Sequence, residues 1–167
     1  MKQTAAITLL LTALGVGALA QSQSSITSLS RKACRELKVD SKDRLLYRGR
    51  CPGVGGFKLE IDTGEDQEAV ELVSPKGKHF DVSIHPANFT SVGKTVEWRT
   101  RSRKPYALII PFRLRSPDSG RYATSLVVSK ISASSACVTD VVEPARNQAV
   151  KARKLADSAS SRPCRAT

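Results

Sequence analysis

The chain has 167 residues, with 27 lysines and arginines against 15 acidic residues and a formal net charge of +12. That length suits one domain with its own hydrophobic core. Such a charge favours anionic partners, while an aromatic content of only 5% disfavours base stacking and hence nucleic acid as the ligand.

Lys2 precedes an apolar run, Ala5 to Leu19, that ends in Ala18-Leu19-Ala20. A basic start, a short apolar core and small residues at the end form the pattern of a secretory signal peptide, with cleavage expected after Ala20. The run is too short to read as a transmembrane segment. Residues 1–20 are therefore expected to direct export, and the product to be periplasmic or extracellular.

Residues 21–43 are polar and Ser-rich at first, which predicts a flexible lead-in, followed by a short helix over Arg31–Lys38 carrying Cys34. Residues 44–167 then read as a single β domain. Alternating or continuously apolar segments predict strands over Arg44–Arg50, Phe57–Asp62, Gln67–Val73, Lys78–Ile84, Lys94–Arg101, Tyr106–Arg115, Arg121–Ile131 and Cys137–Val142. Phe57, Leu59 and Ile61 share one face, as do Phe80, Val82 and Ile84, and Trp98 points inward with Val96. Pro111 cannot donate to a ladder and predicts an edge position or a bulge. Asn147–Ala159 changes to a helical pattern with Ala149, Ala152, Ala156 and Ala159 near one face, suited to close packing on a sheet. The expected fold is mainly β: a small antiparallel sandwich or partly open barrel with a C-terminal α-helix.

Cys34, Cys51, Cys137 and Cys164 make an even set in an exported chain, which implies two disulfides. Three pairings are possible. Cys34–Cys51 with Cys137–Cys164 is favoured, because each bond closes a short loop and staples a terminal segment to the nearest strand. No C-x-x-C pair supports a metal site.

Catalytic signatures are absent from the sequence. His79-x-Asp81 with His85 matches no defined metal spacing and reads as a polar strand face. G-x-S-x-G is missing, and Gly53-Val54-Gly55-Gly56 leads into a strand rather than a phosphate-binding helix. Glu60, Asp62, Glu65, Asp66, Glu68 and Glu71 gather in one hairpin as a solvated acidic face. The chain is thus expected to be non-enzymatic and to need no cofactor.

The basic constellation is denser. Lys94, Arg99, Arg101, Arg103, Lys104, Arg113 and Arg115 stand against one acid, Glu97. Two adjoining strands would set Arg99, Arg101, Arg113 and Arg115 on one outward face. Like charges facing each other destabilise a bare sheet, so this face predicts an anionic envelope component or an acidic protein as partner.

Two resemblances extend this reading. Tyr47–Gly56 (YRGRCPGVGG), Val92–Arg99 (VGKTVEWR), Ala107–Ile110, Cys137–Asp140 (CVTD) and Ala152–Asp157 (ARKLAD) before Pro163-Cys164 resemble segments of a family of small, uncharacterised exported proteins of Gram-negative bacteria. That resemblance implies an exported, disulfide-bonded domain and no activity. Ser119-Gly120-Arg121-Tyr122 resembles the S-G-x-Y loop of bacterial periplasmic lysozyme inhibitors. It implies that Ser119 and Gly120 enter a lysozyme cleft, with Ser119 at the catalytic carboxylates and Tyr122 bracing the loop. The net positive charge would oppose approach to a basic lysozyme.

Overall fold

The structure, a computed structural model, describes residues 21–40, 46–85, 90–116 and 119–165. Residues 1–20, where the sequence predicts a signal peptide, lie outside the described residues, as do residues 41–45 at the start of the first expected strand.

The chain forms two antiparallel sheets that are not closed into a barrel, with one helix near the C-terminus. The larger sheet, sheet A, contains β1 (Gln23–Ser28), β7 (Thr90–Val92), β8 (Thr95–Arg101), β9 (Lys104–Arg115), β10 (Tyr122–Ile131) and β11 (Ala136–Val142). Its order is β1-β8-β9-β10-β11, and β7 also pairs with β9. The smaller, sheet B, is the meander β2 (Arg35–Glu36), β3 (Tyr47–Cys51), β4 (Lys58–Thr63), β5 (Glu68–Val73) and β6 (His79–Asp81). The helix, α1 (Gln148–Asp157), lies on the outer face of sheet A. No helix among the described residues is long and apolar enough to cross a membrane.

Period-two alternation builds the core. Leu59, Ile61, Val70 and Leu72 from sheet B meet Val96, Trp98, Leu108, Ile110, Phe112 and Val127 from sheet A. Trp98 is fully buried, and its indole N–H donates to Thr27 Oγ1 at 2.8 Å. The alternate residues of β9 and β10, Ala107, Ile109 and Val128, face outward and form a second cluster with Ala152, Ala156 and Ala159. The continuous apolar run in β9 is therefore buried on both faces. Ala152 and Ala156 on the helix, and Ala159 in the 3-10 turn that follows it, allow it to sit close to the sheet.

Two sequence expectations change. Residues 23–28 are not a flexible lead-in: they form β1, the edge strand beside β8. Apart from the exposed Ile26 its side chains are polar, so pairing with β8 comes from the backbone and from Thr27 beneath Trp98. The helix expected at Arg31–Lys38 is a 3-10 turn over Arg31–Ala33 followed by β2. Pro111 occupies a gap in the ladder. Pairing of β8 with β9 ends at Glu97↔Ile109, and β7 takes over at Val92↔Phe112. The missing N–H of Pro111 falls at this switch, while its carbonyl accepts Gly93 N–H at 2.7 Å.

Disulfides Cys34–Cys51 and Cys137–Cys164 staple the two ends, across separations of 17 and 27 residues. Loops of this size contribute about 3 kcal/mol each in the chain-entropy account. Around Cys164, Arg162 holds Asp140 through two bonds and Arg165 N–H donates to the Val138 carbonyl at 2.8 Å.

The turn after Cys51 has little room. A Cβ at Gly53 would lie 2.1 Å from the Phe57 carbonyl oxygen, a backbone atom, whereas nothing lies within 4 Å of a Cβ at Gly77. Gly53→Ala should cost about 2 kcal/mol or more. Gly77→Ala meets only its left-handed backbone, φ 74°, and should cost about 1 kcal/mol. Urea unfolding of the oxidised protein checks the order; equal midpoints for the two variants would contradict this turn.

Candidate functional site

The structure separates the four arginines. Arg99 is only 7% exposed. It lies beneath the last turn of α1, where its guanidinium makes a two-pronged bond to Asp157, at 2.8 and 2.9 Å. Arg99 also donates to Ser24 Oγ, which in turn donates to Glu97. Arg153 of α1 reaches the same Glu97 at 2.9 Å, and Tyr106 Oη donates to Asp157 at 2.7 Å. Arg99 thus belongs to a clamp between β1, β8, β9 and α1, not to an open basic face. The expectation that it binds an external anion is corrected: its charge is already matched.

The clamp has an electrostatic signature. An acid in the last helical turn faces the negative end of the helix dipole. Burial further disfavours the Asp157 carboxylate, but hydrogen bonds from Arg99 and Tyr106 outweigh this and hold its pKa below the ordinary value. Glu97 behaves alike, with burial outweighed by hydrogen bonds from Arg153 and Ser24. The Asp157 bond in turn raises the pKa of Arg99.

The other three arginines are split: Arg101 ends β8 beside the start of β9, and Arg113 and Arg115 lie near the end of β9. Arg101 is exposed, pairs in register with Lys104 and lies over the Tyr106 ring at 5.1 Å. It marks a hairpin tip whose two turn residues, Ser102 and Arg103, have φ of 49° and 64°. Arg113 lies nine strand positions beyond Lys104, about 30 Å away at the usual rise per residue. The predicted four-arginine face therefore does not form, because β8 leaves β9 before Arg113 is reached.

A narrower surface forms at the far end. Arg113 pairs in register with Thr124, and Arg115 with Tyr122. Tyr122 is 48% exposed, and the Arg113 guanidinium lies over its ring at 5.0 Å. No carboxylate among the described residues forms an ion pair with Arg113, Arg115 or Arg121. The adjoining turn is closed by Ser116 N–H donating to the Arg121 carbonyl, at 2.8 Å, and by Gly120 N–H donating to the Ser116 carbonyl, at 2.9 Å. Ser119 and Gly120 are exposed there, and Gly120 adopts φ 63°.

This end continues into an apolar groove on the same outer face of sheet A. Ile26, Thr95, Glu97, Ile109, Pro111, Leu126 and Ala149 line about 160 Å³ beside the start of α1. The ten-residue helix covers Ala107, Ile109 and Val128 but stops short of the next rows. Ile26 is consequently 60% exposed. Sequence periodicity placed Glu97 outward; it could not show that the helix leaves this groove uncovered.

The chain matches no protein-family model, and no curated protein or solved structure proved significantly similar to it.

The clamp predicts an acid sensitivity. Both carboxyls have depressed pKa values when folded, so their stabilisation is complete above the ordinary values of 3.8 and 4.5 and is lost as pH falls through the lower folded values. Asp157 is partly exposed, so Asp157→Asn should cost about 1–3 kcal/mol at neutral pH rather than a fully buried pair's penalty. The gap between parent and variant should close below about pH 4. Denaturant unfolding across pH checks this; a gap that persists unchanged into acid would contradict the ion pair.

Proposed function

We propose that this chain is an exported, non-enzymatic binding protein, and that its uncovered sheet A face takes an amphipathic anionic component of the cell envelope. Arg113 and Arg115, unpaired among the described residues and lying beside Tyr122, carry this reading. Guanidinium groups suit phosphate and carboxylate, which they bind in two-pronged fashion. The groove along Pro111, Leu126 and Ile26 adds apolar surface next to that charge. Anionic head groups would sit on the arginines and the apolar part along the groove. Export rests on the signal-peptide pattern, the two disulfides and the resemblance to small exported proteins of Gram-negative bacteria. Arg101, at the end of β8, lies beside the opposite end of β9 and stays outside this surface.

The test is cosedimentation of oxidised protein with vesicles containing an acidic phospholipid, against vesicles of zwitterionic lipid alone. Binding should be strong at about 0.05 M salt and weak at about 0.5 M. Arg113→Glu with Arg115→Glu should abolish it without changing the unfolding midpoint, since both side chains are largely exposed. Arg101→Glu should leave most of it. Binding indifferent to the Arg113/Arg115 pair would reject this surface.

A second reading uses the same end of the sheet. Ser119 and Gly120 are exposed in a turn that leads directly into Tyr122, the arrangement that a lysozyme-inhibitor loop requires. It predicts slower lysis of cell-wall suspensions by a lysozyme, and loss of that effect in Tyr122→Ala. Unchanged lysis across several lysozyme classes would reject it.

A further inference from the structure

We propose that the outer face of sheet B binds one divalent transition-metal ion of the zinc class through Glu60, Glu71 and His79. This face is on the opposite side of the sandwich from α1 and the arginine surface, so the site is independent of the function proposed above.

The register brings these residues together. Glu60 on β4 is opposite Glu71 on β5, and Glu71 is opposite Asp81 on β6. His79 precedes Asp81 by two positions, so it shares their face. Three carboxylates therefore stand in one row across three neighbouring strands. Like charges directly opposite each other cost stability. Arg50 on β3, opposite Glu60, balances one of them. Glu71 and Asp81 remain, and their described charge-bearing contacts are His79 at 2.9 Å and His85 at 2.6 Å respectively.

The atoms are spaced for coordination. His79 Nδ1 lies 2.9 Å from Glu71 Oε2 and 3.9 Å from Glu60 Oε2. One ligand atom from each of the three residues falls within 4.8 Å of the others. A tetrahedral ion with bonds of about 2.0–2.2 Å holds its ligand atoms about 3.3–3.6 Å apart. The two observed separations bracket that value, so small side-chain rotations suffice.

Glu60 gives an independent reason to expect a cation. Its side chain is only 6% exposed. Oε1 accepts from Arg50 at 2.7 Å, but Oε2 accepts no hydrogen bond among the described residues and faces His79. A largely buried carboxylate held by a single arginine gains from a second cation. A metal ion would satisfy it, and Arg50 would serve as the outer partner that fixes the carboxylate's orientation.

The ligand chemistry selects the class of ion. Calcium takes six to eight oxygens and magnesium keeps most of its water, whereas an imidazole beside carboxylates suits zinc, copper or nickel. The sequence spacing His79-x-Asp81 hid this site, because two of the three ligands come from neighbouring strands.

Isothermal titration of zinc chloride into the oxidised, tag-free protein tests the proposal, with ring-nitrogen NMR of His79 as a second readout. One equivalent of zinc should bind and shift the His79 ring signals, with excess magnesium failing to compete. Losing even an outer partner of a metal ligand costs about 10–100-fold in affinity, so His79→Gln and Glu71→Gln should each weaken binding at least about tenfold. His79 is exposed and Glu71 half-buried, and the unfolding midpoints of both variants without metal should match the parent. His85→Gln should bind as the parent does. No binding, undiminished binding by His79→Gln, or loss of binding only in His85→Gln would overturn the proposal.

Discussion

Arg99 carries a full charge with almost no contact with solvent, and the larger sheet is organised around that fact. A guanidinium in this position needs a carboxylate, and Asp157 supplies it from the last turn of α1. The same contact relieves Asp157, an acid at the unfavourable end of a helix dipole. Each group would be costly alone; together they fix the helix in place and in rotation. Ala152, Ala156 and Ala159 then permit the close approach that seals the pair. Ser24 and Tyr106 bring β1 and β9 into the same network, so the edge strand and the helix are held by one set of bonds.

Where the helix is clamped decides what remains open. A helix of this length covers one part of the outer face of sheet A and leaves the rows from Pro111 to Arg115 exposed. Those rows pass from apolar to basic within a few residues, through Pro111 and Leu126 to Arg113, Arg115 and Tyr122. The outer face of sheet B has the opposite character, with Glu60, Glu71 and Asp81 in a row. The sandwich thus presents chemically unlike surfaces on its two sides, separated by a core that reaches full burial at Trp98, Leu108 and Ile110.

Much of this was legible in the residue order and some was not. The sequence pattern located β4, β8, β9 and β10, and alternation gave the inward faces of β4 and β8, because half-buried strands must alternate. The alanine spacing announced a helix packed on a sheet. β1 escaped notice because QSSITS carries almost no apolar signal; its place comes from backbone pairing and Thr27 under Trp98. β7 is three residues long and takes up a ladder that β8 abandons. Arg99 looked like a surface arginine because its partner lies 58 positions away. The same limit applies to Glu60, Glu71 and His79: local spacing reports which face a side chain occupies, but not what the adjacent strand sets beside it.

The central claim is that the open, basic end of sheet A is the binding surface while Arg99 is committed to the helix clamp. Amide NMR mapping with micelles of an anionic detergent-like lipid tests it residue by residue. Saturable shifts should cluster at Arg113, Arg115, Tyr122 and Leu126, leaving Arg99 and Ala156 unmoved. Shifts centred on the Arg101–Lys104 tip, or loss of the α1 signals with release of Arg99, would contradict the account.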